Sequence, residues 1–358
     1  MKTHALIIIF CLAHSIIFGQ QRVEAEKYVA EGIAHHDKGD YEGAITRYDK
    51  ALELDKDNFL ALSEKAMTLT ALGRFNEAII CCKKVIEKYP DDKELSAVYV
   101  TYGNAADGLK KPEKALEIYN EGIKIFPDKY QLHFNKGITL VGLQEYDEAL
   151  LCFEKAIRLN PSHPGSHNAI GHILNYKKKR IASILVYGRF LMAEPESSRA
   201  KINLDILTGL VKGNVTQKNN SKSITIRLNP GLLGDTTEDG KNRENNFSVT
   251  ELLLDMTSAL DFDKKYKKET EIERFIRKFE LICSSLAETK DKNSGFYWEY
   301  YAPYFIEMKE KNFISAFAHV AFISSGDKAI TKWIKEHRQE LYDFIQWSDQ
   351  FEWYGADK

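Results

Sequence analysis

The sequence predicts an all-α protein, in which five helix-turn-helix units and a cap helix form an α-solenoid that a polar linker joins to a small helical domain. Three observations support this fold class. A pattern of about 34 residues returns five times between residues 25 and 197. Polar residues and glycine dominate residues 214–247. From residue 248 onwards, apolar residues recur at the three- and four-residue spacing of amphipathic helices.

The composition indicates a folded, soluble protein and excludes a broad basic surface. Of the 358 residues, 44% are hydrophobic and 28% are charged. The chain has 50 Lys and Arg against 52 Asp and Glu, which gives a net charge of −2. Proteins that bind nucleic acid usually carry a clustered excess of basic residues, so we expect no nucleic-acid partner.

The N-terminal segment predicts a secretory signal peptide over residues 1–19. Lys2 precedes an apolar run from Ala5 to Phe18, which ends at Gly19. A positive start, a short apolar core and a small residue before a polar region are typical of such signals. A membrane-spanning helix needs about 20 apolar residues, and this run is shorter, so an uncleaved anchor is the lesser alternative. We therefore expect a periplasmic or secreted protein that keeps no integral membrane span after cleavage.

The cysteines beyond the signal are expected to be single buried thiols on helices. No CxxC pair and no spacing typical of metal ligands occurs among them. Disulfides are the alternative, because an exported protein meets an oxidising environment. The residues concerned are Cys81, Cys82, Cys152 and Cys283.

The repeated unit has small, aromatic and proline residues at fixed positions. Each repeat has a first and a second helix. A glycine recurs in the first helix, at the point where the second helix of the repeat is expected to cross closely, and these glycines are Gly32, Gly103, Gly137 and Gly171. A space-filling residue recurs in the second helices, at Tyr48, Cys82, Tyr119, Phe153 and Tyr187. Proline, which lacks a backbone donor and clashes with the preceding turn, is expected to end the second helices at Pro90, Pro127, Pro161 and Pro195.

These positions resemble the tetratricopeptide repeat. The resemblance divides the chain into units at 25–58, 59–92, 96–129, 130–163 and 164–197, with a three-residue insertion at 93–95. One unit cannot bury its own apolar face, so neighbouring units are expected to stack and the last one needs a cover. Apolar residues at helical spacing predict a solvated capping helix over 200–213.

The resemblance implies that the first helices line the inner face of the superhelix and bind peptides or partner helices. One subgroup of the family binds a C-terminal carboxylate with Lys, Asn and Arg, but Val29 and Ile33 stand at the corresponding first-repeat positions, so this clamp is missing. We expect an apolar groove, and we therefore expect salt to have little effect on the affinity for a partner. The alternative is that Val29, Ile33 and Ile138 pack between neighbouring first helices and do not contact a partner. The predicted lining is Val29, Ile33, His36, Ser63, Met67, Thr70, Val100, Asn104, Asp107, Phe134, Ile138, Val141, Asn168, His172, Asn175 and Tyr176.

The histidines do not predict a metal site. His167 and His172 lie five residues apart, which places them about 140° apart around a helix, and His163 precedes Pro164 outside that helix. His35 stands where the family usually has an aromatic residue and is therefore expected in the core. His319 lies among apolar residues and is also expected to be buried.

The linker over 214–247 contains one short predicted strand, and helices follow it. Residues 223–228 alternate polar and apolar side chains, so this strand is expected to lie along the array or the next domain, or else to await a partner's sheet edge. Ser248 to Glu251 form a predicted capping box, which opens a helix with an apolar face at Leu252, Leu253, Met256 and Leu260. A second helix is expected after Thr270, and shorter ones over 296–311, 313–323, 327–336 and 338–351.

The C-terminal domain over 248–358 is rich in aromatic residues, and residues 296–354 contain 17 of the 41 in the chain. Tyr301, Tyr304 and Phe305 recur at helical spacing, which favours an aromatic core over a carbohydrate- or peptide-binding surface. The lysine-rich residues 264–268 have acidic neighbours and are expected to be a solvated helix end.

No catalytic motif is found in the sequence. It contains no G-x-S-x-G, no HExxH and no glycine-rich phosphate loop. We therefore expect a non-catalytic scaffold without a cofactor, which binds a protein or peptide partner and whose oligomeric state is open. An enzyme or a small-ligand or glycan-binding protein acting through the C-terminal domain is one alternative, and a structural subunit of an envelope assembly is another.

Overall fold

The computed structural model describes residues 2–213, 215–217, 223–227 and 244–355, and of residues 2–19 only the helical backbone. These residues are helical apart from one small two-stranded sheet, which confirms the predicted all-α class. The chain divides into two compact units between Cys152 and Phe153.

The first unit consists of helices that alternate along the chain and pack as hairpins. Helix α1 contacts α2, α3 contacts α4, and α5 contacts α6. In addition, α1 contacts α3, α3 contacts α5, and α5 contacts α7. Its helices are α1 (Lys2–Asp37), α2 (Tyr41–Leu54), α3 (Phe59–Ala71), α4 (Phe75–Lys88), α5 (Leu95–Gly108), α6 (Pro112–Ile125) and α7 (Tyr130–Gly142), while α8 (Tyr146–Leu159) crosses the division.

The turn inside every repeat uses the same backbone conformation. One residue in each turn has φ between 60° and 78°, at Gly39, Gly73, Lys110, Gln144 and Lys178. Neighbouring members of this set are 34 residues apart, except for 37 between Gly73 and Lys110, which reflects the three-residue insertion. Glycine takes this left-handed conformation without strain, whereas Lys110, Gln144 and Lys178 adopt it at a cost. The structure therefore repeats with the period of the sequence.

Close packing inside the repeats explains the recurring glycines. A Cβ atom added to Gly103 would lie 2.3 Å from the ring of Tyr119, and one added to Gly32 would lie 2.4 Å from Tyr48. In the second unit, a Cβ atom on Gly171 would lie 2.8 Å from Tyr187. The prediction of a close crossing is thus confirmed at these three glycines, with the added detail that the aromatic ring of the same repeat fills the space.

Replacing Gly103 with alanine is expected to lower the free energy of unfolding by about 1–3 kcal/mol, because the buried Tyr119 ring must move out of a packed site. Gly209 in the second unit is a matched control, since it is also helical but has nothing within 4 Å of an added Cβ atom. Gly209→Ala should instead stabilise by about 0.5–1 kcal/mol. Chemical denaturation followed by circular dichroism measures both changes, and equal effects of the two variants would contradict the packing argument.

His35 is not a core histidine as predicted. Its side chain is 37% exposed, and its Nδ1 lies 2.7 Å from an oxygen of Asp40. Asp40 in turn caps α2 by accepting a hydrogen bond from the Gly43 N–H at 3.1 Å. The hydrogen bond from His35 holds the pKa of Asp40 below its usual value. The family's aromatic position therefore has a polar role at the helix start in this chain.

The second unit contains the fifth repeat and all the described C-terminal elements. Its helices after α8 are α9 (Pro164–Tyr176), α10 (Arg180–Ala193), α11 (Ser198–Lys212), α12 (Ser248–Ala259), α13 (Glu271–Thr289), α14 (Ala302–Glu310), α15 (Ile314–Ala321), α16 (Lys328–Glu336) and α17 (Arg338–Gln350). A π-helical turn, Tyr297–Tyr301, precedes α14, and short 3₁₀ turns lie at Leu260–Phe262, Lys290–Lys292 and Ile323–Ser325.

The C-terminal helices pack directly on the fifth repeat. Every residue of α10 from Arg180 to Leu191 is buried, because α12 and α15 cover the side of α10 that α9 and α11 leave open. Helix α11 contacts α12 and α13 on one side, while Ile202 on its other side is 60% exposed. The predicted cap helix is therefore solvated on one side only, and the helices after residue 247 share a core with the fifth repeat.

The predicted strand forms a hairpin within the linker itself. Strand β2 (Ile224–Ile226) pairs antiparallel with β1 (Val215–Gln217), with Thr225 opposite Thr216. Strand β2 also contacts α12, which confirms the expectation that it lies along the next domain. Its pairing strand is supplied by its neighbour in sequence and not by a partner's sheet edge. The rest of the predicted linker and chain end, at 214, 218–222, 228–243 and 356–358, lies outside the described residues.

Helix α12 begins as predicted but without its capping box, and it presents its apolar face outwards. Ser248 is the first helical residue, and Phe247 before it provides no side-chain cap. The Ser248 N–H instead donates to the Asn246 side-chain oxygen at 2.9 Å. The predicted apolar face is largely exposed, with Leu252 at 42%, Met256 at 55% and Leu260 at 38%. A capping box is found instead at the next helix, between Thr270 and Glu273.

The four cysteines beyond the predicted signal are buried free thiols, as predicted, and burial raises the pKa of each thiol. His319 is buried as predicted, with its Nδ1 2.8 Å from the Ser315 carbonyl and its ring stacked on Trp333. In the part of the chain that the structure describes, none of the helices combines the length and the apolar character needed to cross a membrane.

Candidate functional site

The strongest candidate site in the first unit is the surface formed by α1, α3, α5 and α7, which we call the first-helix face. These four helices lie side by side, because each contacts the next first helix of the array. Neighbouring first helices thereby bring together residues that are 34 to 37 positions apart in the sequence. Twelve of the sixteen residues predicted to line the groove lie on these helices, and they differ in exposure.

Apolar side chains on the first-helix face remain open to solvent. Met67 is 41% exposed and Ile138 is 44% exposed. Val29 is only 2% exposed and belongs to the core between α1, α2 and α3, so for this residue the alternative of packing between helices is correct. The other predicted residues of this face are half-buried, namely Ile33, His36, Ser63, Thr70, Asn104, Asp107 and Phe134, together with Val100 and Val141.

One pocket of about 650 Å³ opens beside the first two of these helices. Its apolar walls come from Val29, Ile33, Phe59, Leu60 and Tyr89. Its polar residues are mostly acidic, and they are Arg22, Glu26, Asp55, Asn58, Asp92 and Glu94. The pocket thus combines an apolar interior with an excess of negative charge at its rim.

Three of the pocket's apolar residues, Phe59, Leu60 and Tyr89, are not among the lining residues that the sequence predicted. Leu60 is 47% exposed one residue after the start of α3, and Tyr89 follows α4 and donates a hydrogen bond to the Asp57 carbonyl. In the first unit the predicted lining covers three positions in the body of each first helix, so it does not include residues at helix ends or in the loops between repeats. An exposed leucine at a helix start is a signal that could have identified Leu60.

Asn104 is held in place by its own repeat. Its Oδ1 accepts a hydrogen bond from the buried hydroxyl of Tyr119 at 2.6 Å, and burial raises the pKa of that tyrosine. The amide NH₂ of Asn104 has no partner among the described residues, so it can donate to a bound chain. Because its side chain is held in place and its NH₂ group is free to donate, Asn104 can serve as a pre-oriented polar contact on an apolar face.

His36 and Thr70 are also used within the first unit. His36 Nδ1 lies 2.7 Å from Thr68 Oγ1, and Thr70 donates to the Ala66 carbonyl at 2.8 Å. The hydroxyl of Ser63 is buried without a hydrogen-bond partner in the described structure. These three residues therefore contribute more to the packing of the face than to its free hydrogen-bonding capacity.

In the second unit, α9 carries the remaining four predicted residues. Tyr176 is 69% exposed. His172 Nδ1 lies 3.1 Å from the Tyr187 hydroxyl, which reproduces the pairing of Asn104 with Tyr119 in the same structural position of another repeat. Asn168 accepts a hydrogen bond from Asn203 at 2.7 Å, and Asn175 is half-buried. Three of the four are thus exposed or paired at the surface of the fifth repeat.

The C-terminal aromatic residues form a core, as predicted. Tyr300, Tyr301, Tyr304 and Phe305 are fully buried. Arg189 lies over the rings of Tyr304 and Trp353, at 4.4 and 4.7 Å from their centres. Most of the flat surfaces that could stack on a carbohydrate are therefore used inside the protein. A pocket of about 920 Å³ remains at the surface, lined by Trp347, Phe351, Tyr354 and acidic neighbours.

Histidine and glutamate side chains also tie the C-terminal part to the repeats of the second unit. His167 Nε2 donates to the Pro161 carbonyl at 2.9 Å, and its Nδ1 accepts from the Tyr301 hydroxyl at 2.8 Å. Burial lowers the pKa of His167 to about 3, so the ring is neutral. Glu154 accepts a hydrogen bond from Tyr297 at 3.0 Å, and burial raises the pKa of its carboxyl to about 7.

No metal site is formed by the residues that the structure describes, since no three His, Cys, Asp or Glu side chains come close enough to share an ion. His167 already uses both ring nitrogens in hydrogen bonds. His163 caps α9 by accepting from the Ser166 N–H at 3.2 Å. Two of the three clustered histidines therefore have structural roles.

Comparison with known proteins identifies the repeated part of the chain. Family models described as tetratricopeptide repeat match residues 35–99, 96–129 and 130–163. A protein STIP1 homolog of Dictyostelium discoideum is 32% identical over 168 residues, which covers 38% of this chain and 30% of that protein. An Hsp70-Hsp90 organizing protein of Triticum aestivum is 27% identical over 176 residues, which covers 48% of this chain and 30% of that protein. The chain thus spans less than a third of these relatives.

Solved structures of repeat proteins are also similar. A thermophilic TPR protein of Thermus thermophilus is 19% identical, with a TM-score of 0.45, over 52% of this chain and 98% of that one. The family matches show tetratricopeptide repeats within residues 35–163 of this chain.

Proposed function

We propose that this tetratricopeptide repeat protein is a non-catalytic scaffold, which binds a protein or peptide partner on the first-helix face. The observation that carries the proposal is the exposure of Leu60 and Met67 on α3 and of Ile138 on α7, all on the first-helix face. Large apolar side chains clustered at a surface commonly mark an interaction site. The Triticum aestivum relative is named as an organizing protein for two other proteins, which supports a partner of the same class.

The chemistry of the pocket beside α1 and α3 indicates the kind of segment that binds. Apolar walls favour one apolar side chain as an anchor. Glu26, Asp55, Asp92 and Glu94 outnumber Arg22 around it, so a Lys or Arg next to that anchor is favoured. The amide donor of Asn104 can bind a backbone carbonyl of the same segment. Because of the acidic rim, we expect salt to weaken binding, in contrast to the sequence-based expectation.

Export is part of the proposal. It is supported by the apolar run between Ala5 and Phe18 behind Lys2. N-terminal sequencing of the protein recovered from the producing cells tests it. A chain that starts at Gln20 supports a cleaved signal, whereas a chain that starts at Met1 contradicts it.

Binding is tested with a random-peptide phage library selected on the full chain. We expect enriched peptides to contain an apolar residue next to Lys or Arg. The variant Leu60→Ser with Met67→Ser should bind an enriched, fluorescently labelled peptide at least about tenfold more weakly, because each contact buries an apolar side chain.

The matched control replaces two equally apolar residues outside the first-helix face. Ile80 and Leu151 lie on α4 and α8 and are each 67% exposed. Ile80→Ser with Leu151→Ser should leave peptide affinity unchanged. No enrichment, or an equal loss in the control variant, would show that partners do not bind at the first-helix face.

A further inference from the structure

Helix α12 in the second unit carries an unusual line of exposed apolar side chains, which we call the α12 ridge. It consists of five residues on α12 and the 3₁₀ turn that follows it. Their exposed fractions are 53% for Val249, 42% for Leu252, 55% for Met256, 38% for Leu260 and 40% for Phe262. Spacings of three and four residues place the helical members on one side. The ridge is about 20 Å long at 1.5 Å per residue.

The orientation of α12 is fixed by polar contacts on its opposite side. Asp255 forms an ion pair with Arg180, with 2.6 Å between the oxygen and the guanidinium nitrogen. Thr250 and Ser285 share a hydrogen bond of 2.8 Å, so the polar side chains of α12 lie inside. Turning the apolar side of α12 inwards would leave Arg180 and Ser285 buried without these partners. The polar contacts therefore keep the α12 ridge on the outer side of the helix.

A basic cluster follows the ridge directly. Lys264, Lys265, Lys267 and Lys268 are all exposed, and none forms an ion pair within the described part of the chain. The Lys265 ammonium lies 5.0 Å from the centre of the Tyr266 ring. Four positive charges thus stand at one end of the α12 ridge.

Some of the acidic residues near these lysines are paired elsewhere. Asp261 binds Arg277 and Lys278, and Glu269 binds Arg277. Glu273 accepts hydrogen bonds from Thr270 in the capping box but stays exposed, as do Asp263 and Glu271. The four lysines outnumber these three carboxylates by one, so the solvated segment that the sequence predicted carries a small positive excess.

We propose that the α12 ridge and its lysines dock the protein on the surface of an anionic lipid bilayer. Apolar side chains along one side of a helix can enter the boundary between headgroups and acyl chains, while neighbouring lysines bind anionic headgroups. Phe262 stands at the junction of the two parts, where aromatic rings favour the interface. The protein would lie on the membrane without spanning it.

The geometry favours lipid over an acidic protein partner. All five apolar residues belong to one helix and its following turn, so they form a ridge and not a groove between two helices. A partner helix would need a groove for its own apolar face. A ridge with charges at one end matches a flat, fluid, negatively charged surface better.

The test is co-sedimentation of the full chain with vesicles. Phosphatidylcholine vesicles that contain about one third phosphatidylglycerol are compared with pure phosphatidylcholine vesicles. Each lysine near an anionic surface strengthens binding by roughly fivefold. We expect K264Q/K265Q/K267Q/K268Q to bind the anionic vesicles at least about tenfold more weakly, and Leu252→Ser with Met256→Ser to weaken binding as well.

The control compares variants that all keep the apolar segment 5–18, since that segment could enter lipid by itself. Lys83→Gln with Lys93→Gln, Lys110→Gln and Lys111→Gln removes four exposed lysines of the first unit and should bind as the parent does. Equal binding to both vesicle types, or equal binding by the ridge, lysine and control variants, would overturn the proposal. Loss of self-association by the ridge variant with unchanged vesicle binding would assign the ridge to a protein partner and would overturn it too. Peptide binding to the first-helix face is measured separately and does not depend on this outcome.

Discussion

Replacement of Asp255 by alanine is expected to lower the free energy of unfolding of the second unit by about 3–5 kcal/mol. The side chains of Asp255 and Arg180 are only 1% and 9% exposed, and they lie 2.6 Å apart. Arg180 also donates to the Leu210 carbonyl at 2.8 Å. Removal of the carboxylate leaves a buried guanidinium without its counter-charge, which is far more costly than the loss of a surface pair.

The unfolding of the second unit can be measured by itself, because all four tryptophans of the chain lie between residues 298 and 353. Urea unfolding followed by tryptophan fluorescence therefore reports the second unit. The control is Asp205→Ala, which breaks an ion pair with Lys201 whose side chains are 61% and 52% exposed. We expect this change to cost less than about 1 kcal/mol. A similar small loss in both variants would show that the buried pair is not a stabilising contact.

Removal of the C-terminal helices is expected to prevent stable folding of the fifth repeat. A chain over residues 20–213 would expose the covered side of α10, where Ile181, Leu185 and Arg189 are each 5% exposed or less. It would also leave Arg180 without Asp255. We expect this fragment to aggregate or to lose helicity relative to a chain over 20–358, since a large apolar face would meet water.

The fragment over residues 214–358 should also fail to unfold cooperatively by itself, because Tyr300, Tyr301 and Tyr304 would lose their contacts with the repeats. Co-expression of the two fragments provides the control, and it should recover a soluble complex held by the same core. Gel filtration, circular dichroism and tryptophan fluorescence distinguish these cases. A monomeric 20–213 fragment with full helicity would mean that the C-terminal helices are a separate domain.

The helices of the repeats could be predicted because their signals are local and periodic. Pro90, Pro127 and Pro161 each lie two residues beyond a helix end, as expected. The close approach of Gly103 and Tyr119 follows from a glycine in one helix and an aromatic residue in the next. The prediction that Tyr301, Tyr304 and Phe305 are buried is also confirmed, since large side chains at helical spacing usually fill a core.

The candidate site could be predicted only in part. Met67, Ile138 and Tyr176 are exposed as expected, but Val29 is buried between helices. Leu60 and Tyr89 were missed because they lie at a helix start and in a loop between repeats. Whether an apolar residue on a first helix faces a partner or a neighbouring helix depends on the crossing of helices, and a single repeat does not contain that information.

The sequence by itself determined the all-α class, the period of the repeats and the apolar or aromatic character of each core. These properties depend on side chains that are close in sequence, so periodicity reveals them. Only the tertiary structure decided that the C-terminal helices share a core with the fifth repeat and that α12 turns its apolar side to solvent. The reason is that Arg180 and Asp255 are 75 positions apart in the chain. A buried charge pair of this kind outweighs the local preference of Leu252 and Met256 for burial, because leaving either charge unpaired would cost more than exposing two apolar side chains.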